Sequence, residues 1–330
     1  MLLAWPAAGM DWDCCLEEIR HEYEQLLRAI SHSTPVLLLA PPGEIDAVRR
    51  RLRVAGIPDH RLQLVPIALD DTWIRDYGPL AVRTEAGIGL VDFRFDGWGG
   101  RYPSTRDDAA TRRLATGGWL GDPPLTRVDW VLEGGAIDTD GQGTLLTTER
   151  CLLDPRRGGD RDRDAVERRL QQSLGIRHVH WLRHGGLEGD DTDGHVDMLA
   201  RFCDPGTIAH VQCDDPSYPW YDSLRLLADE LARLRTPGGG SYRLVPLPLP
   251  QPMPRAPDGR LLPASHLNFL ILDDQVLVPA YGRDSDRIAR ERLAPCFPER
   301  QVRLVASRTL IRQNGSLHCA TLQLPRVDRR

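Results

Sequence analysis

Lysine is absent from this 330-residue chain, so all 42 of its basic side chains are arginines. A mechanism that needs a catalytic lysine or a lysine Schiff base is therefore excluded. The 47 acidic residues give the chain a formal net charge of −5. Nucleic acids and anionic membranes are usually bound through a basic surface, so this balance argues against both kinds of partner.

Cysteine pairs with metal-binding spacing are also missing. No C-x-x-C pair occurs among the seven cysteines, so we do not expect a structural zinc site. Scattered thiols fit a reducing compartment, and we expect the protein to be cytoplasmic. The seven are Cys14, Cys15, Cys151, Cys203, Cys213, Cys296 and Cys319.

Long apolar runs are lacking as well. No stretch approaches the about 18 apolar residues of a membrane span, so no membrane association is predicted. The apolar start of the chain has no positive charges and is followed at once by Asp11. We therefore interpret it as a buried strand rather than a signal peptide.

Strand and helix patterns alternate along the chain. Short apolar runs at Val36–Ala40 and Leu62–Ile67 are typical of buried strands, whereas Cys14–Ile30 and Glu44–Ala55 show helical spacing of apolar residues. This alternation predicts an α/β fold. Further helices are predicted at Arg161–Leu174, Tyr218–Leu234 and Asp286–Leu293.

A polar motif followed by a strand–turn–strand pattern occurs repeatedly. Such a pattern predicts a closed repeat architecture whose polar groups converge on one axis, and the alternative is an ordinary mixed sheet with unrelated loops. No linker divides the chain convincingly, so we predict a single domain over residues 1–330. The motifs are DYGP at 76–79, EGG at 133–135, GHVD at 194–197, SHLN at 265–268 and the segment 314–319.

Cys319 is the thiol whose surroundings best suit a reactive role. It follows a polar segment that contains a glycine, Gln313–Ser316, and such a segment can bring a thiol to the mouth of a site. The other six cysteines are interpreted as small core residues, which is the usual role of an unpaired cysteine.

His195 and Asp197 lie two residues apart at the entrance of a predicted strand, so their side chains should point to one face. They could act as an acid–base group and a cation-binding group, or they could be two metal ligands. A calcium loop starting at Asp191 is rejected because its twelfth position is Phe202 rather than a glutamate.

Two further carboxylates stand out. Glu133 ends the apolar run VDWVL, and a carboxylate at the end of a buried strand must be paired or functional. Asp76 follows Arg75, so its simplest interpretation is a surface ion pair. Taken together, these residues fit one kind of chemistry. Two carboxylates can bind a planar guanidinium, and a thiolate needs a neighbouring histidine, which a further carboxylate can orient.

At these motifs the chain resembles the agmatine deiminase and bacterial, Porphyromonas-type peptidylarginine deiminase family. The similarity runs from about Leu3 to about Pro325 and keeps the order of the motifs. It is carried by DDTWIRDYGP at 70–79, FDGWGG at 95–100, EGGAIDTDGQGTLLTTERCLL at 133–153, DDTDGHVD at 190–197, and the C-terminal SHLNF, VLVPAYG, CFPERQV and LHCATLQLP.

The resemblance implies the pentein fold, a five-bladed α/β propeller with pseudo-fivefold symmetry, and a hydrolase acting on linear amidines without a metal or organic cofactor. It implies that Cys319 is the nucleophile, that His195 is the acid–base and that Glu133 orients it. Asp76 and Asp197 are expected to grip the guanidinium. Trp73 and Trp98 match tryptophans of the family that lie near the site, and both are expected to contact the substrate.

The expected substrate is agmatine, a small guanidinium with a second cation at its far end. Four aspartates in the matching segments could attract that ammonium: Asp70, Asp71, Asp191 and Asp193. Aspartates also cap turns, and that is the alternative interpretation of these four.

Other functions stay open at this point. A peptidylarginine deiminase would perform the same chemistry on a protein, an amidinotransferase would replace water by an amine, and a non-catalytic pentein would only bind. The family usually has three glycines and an asparagine before Ile-His-Cys, whereas this chain has Gln313–Ser316, which leaves the substrate open. The expected partner is the small guanidinium substrate, and the candidate assembly is a homodimer.

Overall fold

Five small mixed sheets occur in residues 1–85, 87–158 and 162–325, the part of the chain that this computed structural model describes. Four of the sheets share one pattern, in which the first strand is antiparallel to the second and the second is parallel to the third. Helical segments connect the second strand to the third, as a parallel connection requires. The predicted α/β repeat is therefore present.

The residues cluster into two compact units, which are described separately. The first comprises Met1–Gly134, Arg156–Gly158 and Cys319–Arg330, and the second comprises Gly135–Pro155 and Gly159–His318. The assignment of residues 1–330 to a single domain stays a prediction.

The first unit contains two sheets. One has the order β16-β1-β2-β3 and the other the order β4-β5-β6. Their strands are β1 (Leu2–Ala4), β2 (Val36–Ala40), β3 (Leu62–Pro66), β4 (Leu80–Thr84), β5 (Gly87–Arg94), β6 (Leu125–Val131) and β16 (Thr321–Leu322). Its helices are α1 (Leu16–Ser31), α2 (Ile45–Val54), α3 (Ile74–Tyr77), α4 (Gly97–Gly100), α5 (Thr105–Asp108) and α6 (Ala110–Thr116).

The first sheet joins the two ends of the chain. β1 is parallel to β2, with Leu2 opposite Leu37, and antiparallel to β16, with Leu3 opposite Thr321. Helix α1 connects β1 to β2 and buries the apolar stripe predicted from its spacing, including Tyr23 and Leu27. The last strand of the chain thus supplies the antiparallel strand that the first sheet would otherwise lack.

The second unit contains three sheets of three strands each. Their strands are β7 (Ile137–Thr139), β8 (Thr144–Thr148), β9 (His178–Leu182), β10 (Ala200–Asp204), β11 (Thr207–Gln212), β12 (Arg243–Pro248), β13 (Leu270–Ile271), β14 (Gln275–Ala280) and β15 (Gln301–Ala306). Its helices are α7 (Glu149–Leu152), α8 (Arg163–Leu174), α9 (Tyr221–Arg233) and α10 (Asp284–Leu293).

The predicted helices are confirmed, with shifted ends. Helix α9 begins after Pro219 rather than at Tyr218, because the residue before a proline is driven out of the helical region. Helix α10 begins two residues early, since the Asp286 carboxylate accepts the backbone N–H of Gly282 and Arg283. The predicted first residue of α8, Arg161, lies outside the described residues.

Each polar motif recognised in the sequence ends with no more than two residues between it and the antiparallel edge strand of one sheet. The motifs precede β4, β7, β10, β13 and β16 in turn. The same position in five repeats therefore carries the candidate functional residues. No helix of the described residues has the length and apolar character that crossing a bilayer requires.

Candidate active site

Asp76 lies on α3 in the first unit and is 4% exposed. The indole Nε1 of Trp98 donates a hydrogen bond to Asp76 Oδ2 at 3.0 Å. A charge-assisted bond of this kind fixes the direction of a carboxylate and offsets part of the cost of burying it. The simplest interpretation from the sequence, a surface ion pair, is therefore wrong. Asp76 is buried, and its carboxylate is oriented by a residue of the same unit.

The backbone around Trp98 is unusual. Trp98 has φ 57° and ψ 54°, in the left-handed region, and Gly97, Gly99 and Gly100 also have positive φ. For a residue with a side chain this conformation costs on the order of 1 kcal/mol, whereas glycine adopts it readily. The glycines of the FDGWGG motif thus allow the turn that directs the indole at Asp76.

Packing holds the Trp98 ring in the same place. The rings of Phe95 and Tyr102 meet it edge-on, with centroids at 4.9 and 5.5 Å and interplanar angles of 90°. Trp98 was expected to contact substrate. In the structure its N–H contacts the Asp76 carboxylate, and direct contact with substrate stays a prediction.

Trp73 is also buried and stands immediately before α3. Its ring packs on Trp12 with centroids 5.7 Å apart, and Trp12 Nε1 donates to the hydroxyl of Thr72 at 3.1 Å. The position of Trp73 is therefore set by core packing three residues from Asp76. Its contact with substrate likewise stays a prediction.

The backbone of Cys319 is tied to the same short helix. Arg75 N–H donates to the Cys319 carbonyl at 3.2 Å, and the Arg75 guanidinium donates to the side chain of Gln323. Cys319 is a thiol and is 8% exposed. The helix that carries Asp76 thus also positions the segment that carries the predicted nucleophile.

Tyr23 of α1 lies within electrostatic range of this thiol. Burial raises the pKa of the Tyr23 phenol, and the charges of Asp71 and Cys319 add to this rise. The phenol therefore stays neutral at physiological pH. The neutral Tyr23 hydroxyl consequently adds no electrostatic repulsion to a thiolate at Cys319.

Glu133 is held by an arginine that the sequence did not single out. Arg157 Nε donates to both Glu133 carboxylate oxygens at 2.8 Å, and both residues are 0% exposed. The expectation that a buried carboxylate must be paired or functional pointed to such a partner without identifying it. The proposed orientation of His195 by Glu133 stays a prediction.

Gly134 brings Glu133 close to α3. A Cβ atom at Gly134 would lie 2.1 Å from the carbonyl oxygen of Arg75, a distance that no side chain can occupy. Glycine is required here because two backbone segments touch. Asp76, Cys319 and Glu133 are consequently all positioned against the backbone of one four-residue helix.

The aspartates before Trp73 are engaged in local hydrogen bonds. The backbone N–H groups of Asp70 and Asp71 donate to the Asp107 carboxylate at 2.7 and 3.1 Å. The Asp70 carboxylate accepts the N–H of Arg106 at 2.7 Å, and Asp71 Oδ1 accepts the N–H of Thr72 at 2.7 Å. These contacts fit the turn-capping alternative, and attraction of a substrate ammonium by Asp70 and Asp71 stays a prediction.

In the second unit Asp197 is held by two residues that were not selected from the sequence. His318 Nδ1 lies 2.7 Å from Asp197 Oδ2, and Asn268 Nδ2 donates to the same oxygen at 3.1 Å. Asn268 Oδ1 also accepts the backbone N–H of His318 at 2.9 Å. All three side chains are buried. Two signals could have identified them: Asn268 ends a repeated polar motif, and His318 adjoins Cys319.

The segment before His195 is shaped by Asp190. Its carboxylate accepts the N–H of Thr192 at 3.1 Å and that of Gly194 at 2.7 Å, and the Thr192 hydroxyl accepts the His195 N–H at 3.1 Å. Asp193 has φ 65°, and His195 is 1% exposed. This turn buries His195 at the entrance of β10.

Asp191 contacts the loop in which the chain departs from the family pattern. Asn314 Nδ2 donates to Asp191 Oδ2 at 2.7 Å, and Asn314 Oδ1 accepts from Arg260 at 3.0 Å. Asn314 has φ 66°, a conformation that asparagine tolerates better than most residues. Asn314 thus adopts a backbone conformation that glycine also favours, and its side chain adds two hydrogen bonds. Binding of substrate by Asp191 and Asp193 stays a prediction, as does the absence of a metal.

Comparison with known proteins identifies the class. The model of the Porphyromonas-type peptidyl-arginine deiminase family matches residues 1–325, and the chain belongs to this family. The agmatine deiminase of Pseudomonas aeruginosa is 31% identical, with 98% of this chain and 92% of that protein covered.

Solved structures agree with this assignment. A cysteine-to-serine variant of the C. jejuni agmatine deiminase with substrate bound is 32% identical and has a TM-score of 0.87. The matched region covers 97% of this chain and 91% of that protein. The Enterococcus faecalis agmatine deiminase is 28% identical, with 98% and 92% covered and a TM-score of 0.89. The predicted family and the α/β pentein fold class are confirmed.

Replacing Glu133 tests the buried ion pair. Glu133→Gln leaves the Arg157 charge without its carboxylate and should lower the free energy of unfolding by about 3–5 kcal/mol. Glu291→Gln removes an exposed partner of Arg287 and should change it by about 0.5 kcal/mol or less. Denaturant unfolding of both variants and the parent measures the difference.

A double variant provides the control for this pair. Glu133→Gln combined with Arg157→Met removes both charges and should recover part of the lost stability. Equal stability of Glu133→Gln and the parent would show that the pair contributes nothing to the fold.

Asp107 should make stability depend on pH. Burial raises the pKa of the Asp107 carboxyl to about 8, against the opposing hydrogen bond from the Asp70 amide. The Asp107 carboxyl then binds its proton more tightly in the folded chain than in the unfolded chain. The stability that this protonated carboxyl contributes is therefore fully present below pH about 4, and it is lost as the pH rises through about 8. Between about pH 5 and about pH 9, the free energy of unfolding should fall more in the parent than in Asp107→Asn. The control variant Asp258→Asn, in an exposed turn, should show the same fall in the free energy of unfolding as the parent. A fall in Asp107→Asn equal to that of the parent would contradict the prediction.

Proposed function

We propose that this chain hydrolyses the guanidinium group of agmatine to N-carbamoylputrescine and ammonia. The observation that carries the proposal is the arrangement around α3, in which Arg75 N–H holds the Cys319 carbonyl and Trp98 holds the Asp76 carboxylate. A thiol and an oriented carboxylate that are positioned by one short helix suit covalent attack on a bound cation. Relatives named agmatine deiminase, one of them with substrate bound, support the choice of reaction.

The proposed first half of the reaction forms a covalent intermediate. The Cys319 thiolate attacks the central guanidinium carbon, and the C–N bond to one terminal amino group then breaks. His195 gives its proton to this group, which leaves as ammonia. A thiouronium remains on Cys319.

The second half releases the product. His195 takes a proton from water, and the hydroxide attacks the thiouronium carbon. The C–S bond breaks, which returns the thiolate. The remaining hydroxyl proton is lost to solvent, and the ureido group of N-carbamoylputrescine is left. Glu133 is assigned to keep His195 in the required orientation.

The carboxylates are assigned the binding of the cation. Asp76 is fixed by Trp98, and Asp197 is fixed by His318 and Asn268. Carboxylates that are already oriented need no reorganisation when charge shifts during the reaction, so they stabilise the transition state more than mobile ones would. Trp98, His318 and Asn268 are accordingly proposed as positioning residues.

Arginine in a peptide is the second candidate substrate. The description of the family favours it, because the matching model is that of a peptidyl-arginine deiminase. The bond between Asp191 and Asn314 also engages one carboxylate that was expected to attract the ammonium of agmatine. Agmatine remains the proposal, supported by the acidic segments and the named relatives.

We further propose a cytoplasmic location and a homodimeric assembly. Seven cysteines without a disulfide fit a reducing compartment. Light scattering of the purified chain measures the assembly.

Replacing the nucleophile tests the reaction. Cys319→Ser should abolish ammonia release from agmatine while the chain stays folded, because a serine hydroxyl lacks thiolate character. Cys14→Ser, at an exposed thiol, should keep parental activity. The measurements are ammonia release and circular dichroism of each variant. Substantial turnover by folded Cys319→Ser would contradict the assignment.

Comparing substrates tests the choice of agmatine. The kcat/KM for agmatine should exceed that for arginine by about 10²-fold or more, since acidic groups attract an ammonium and repel a carboxylate. The ratio should fall as salt is added, because salt screens charges of this kind. The measurement is ureido product formation from agmatine, arginine and an N-acylated arginine amide. If the amide is the best substrate, the peptidyl function replaces the agmatine function.

A further inference from the structure

Cys14 and Cys15 are adjacent in the sequence, and their side chains also meet in space. The Cys14 thiol donates a hydrogen bond to the Cys15 sulfur, and the two Sγ atoms are 3.3 Å apart. Neighbouring side chains on an extended chain point to opposite faces and do not make such a contact. Here the backbone turns at Cys15, which has φ −152° and ψ 34° and stands directly before α1. The turn therefore brings the two sulfurs together as a vicinal dithiol.

Backbone hydrogen bonds fix this turn on both sides. The Cys15 N–H donates to the Trp12 carbonyl at 2.9 Å, and the Cys15 carbonyl accepts the N–H of Ile19 in α1 at 3.0 Å. Trp12 is fully buried, and its ring packs on that of Trp73. The folded chain thus holds the vicinal dithiol in place before any ligand binds.

The vicinal dithiol can be reached from solvent. Cys14 is exposed, so its interpretation as a core residue is wrong, whereas Cys15 is 5% exposed. A disulfide between the two would be strained, because paired cysteines usually have Cα atoms at least about 4.4 Å apart and neighbouring residues have them about 3.8 Å apart. Strained disulfides are easily reduced, so we expect the pair to persist as thiols.

The distance between the sulfurs selects the geometry of a ligand. A thiolate bonds to a soft metal centre at about 2.3 Å. Two such bonds span about 3.3 Å when they meet at a right angle, about 3.8 Å at a tetrahedral angle and about 4.6 Å in line. The observed 3.3 Å corresponds to the right angle. Bond angles near this value are those of three-coordinate, pyramidal arsenic.

The number of ligands points the same way. A structural zinc ion takes four protein ligands. In the described part of the chain, no cysteine, histidine, aspartate or glutamate completes a three-ligand cluster with the vicinal dithiol. A trivalent arsenic atom that already carries one organic group needs only two sulfurs, and soft centres prefer thiolate ligands.

We propose that Cys14 and Cys15 form a binding site for trivalent arsenicals that carry one organic group. With an oxide R–As=O, the two S–H protons leave with the oxygen as water, and two As–S bonds replace the bonds between arsenic and oxygen. Arsenic stays trivalent, so the step needs neither an oxidant nor a reductant. Neither thiol has a part in the proposed hydrolysis of agmatine, so the two proposals are independent.

Mass spectrometry of the full-length chain after incubation with one equivalent of phenylarsine oxide tests the proposal. Cleavage after arginine places both thiols, and no other cysteine, in the peptide 1–20. This peptide should gain the mass of one phenylarsenic group less two hydrogens. An excess of a monothiol should leave the adduct intact, and dithiothreitol should remove it, because exchange with one sulfur at a time rarely releases a ligand that two sulfurs hold.

Serine variants locate the adduct. Cys14→Ser and Cys15→Ser should each lose the adduct that resists monothiol. Serine is favoured directly before a helix, so Cys15→Ser should fold, and circular dichroism checks each variant. Cys213→Ser and Cys319→Ser should keep the adduct in the peptide 1–20. The result with Cys319→Ser separates this site from the proposed nucleophile.

The synthetic peptide 1–20 measures what the fold contributes. It has the same two thiols without the fixed turn, so its Kd for phenylarsine oxide should be about tenfold higher than that of the folded chain, because it loses more conformational freedom on binding. The proposal is wrong if the adduct forms at Cys319 instead of the vicinal dithiol, if monothiol removes it from the parent, or if the peptide binds as tightly as the folded chain.

Discussion

The antiparallel pairing of β16 with β1 is the interaction on which the arrangement of the first unit depends. It returns the last strand of the chain to the first sheet, two residues beyond Cys319. Once β16 is in place, the Cys319 carbonyl meets the N–H of Arg75, and the chain around Glu133 passes against the same helix through Gly134. The side chains proposed for attack and for cation binding in this unit therefore depend on a contact between opposite ends of the sequence.

Each buried carboxylate of the candidate site has a specific partner. Asp76 accepts from an indole, Asp197 is held by an imidazole and an amide, and Glu133 faces a guanidinium. Burying a carboxylate without such a partner would cost several kcal/mol, on the order of a whole domain's stability margin. The partners differ in charge: the indole of Trp98 and the amide of Asn268 are neutral donors that fix an anion and leave its charge available to a substrate cation, whereas Arg157 compensates the charge of Glu133 within the unit.

The acidic segments show how a local pattern can serve two purposes. Asp70, Asp71, Asp190 and Asp191 all accept or organise hydrogen bonds in turns next to Trp73 and His195. Aspartate is favoured in such turns because its short carboxylate reaches nearby backbone N–H groups. A run of aspartates beside candidate catalytic residues is therefore compatible with shaping the turn, with attracting a cation, or with both.

The sequence by itself determined the α/β class, the five repeated polar motifs and the family, because periodicity and motif order are local properties that survive without coordinates. It also singled out Cys319, His195, Glu133, Asp76 and Asp197 as candidates. Only the tertiary structure decided their partners. Arg157, Asn268 and His318 are separated from the carboxylates they hold by 24, 71 and 121 residues. Contacts of this kind arise from packing and strand register, and neither spacing nor composition encodes them in a form that can be recognised from one chain.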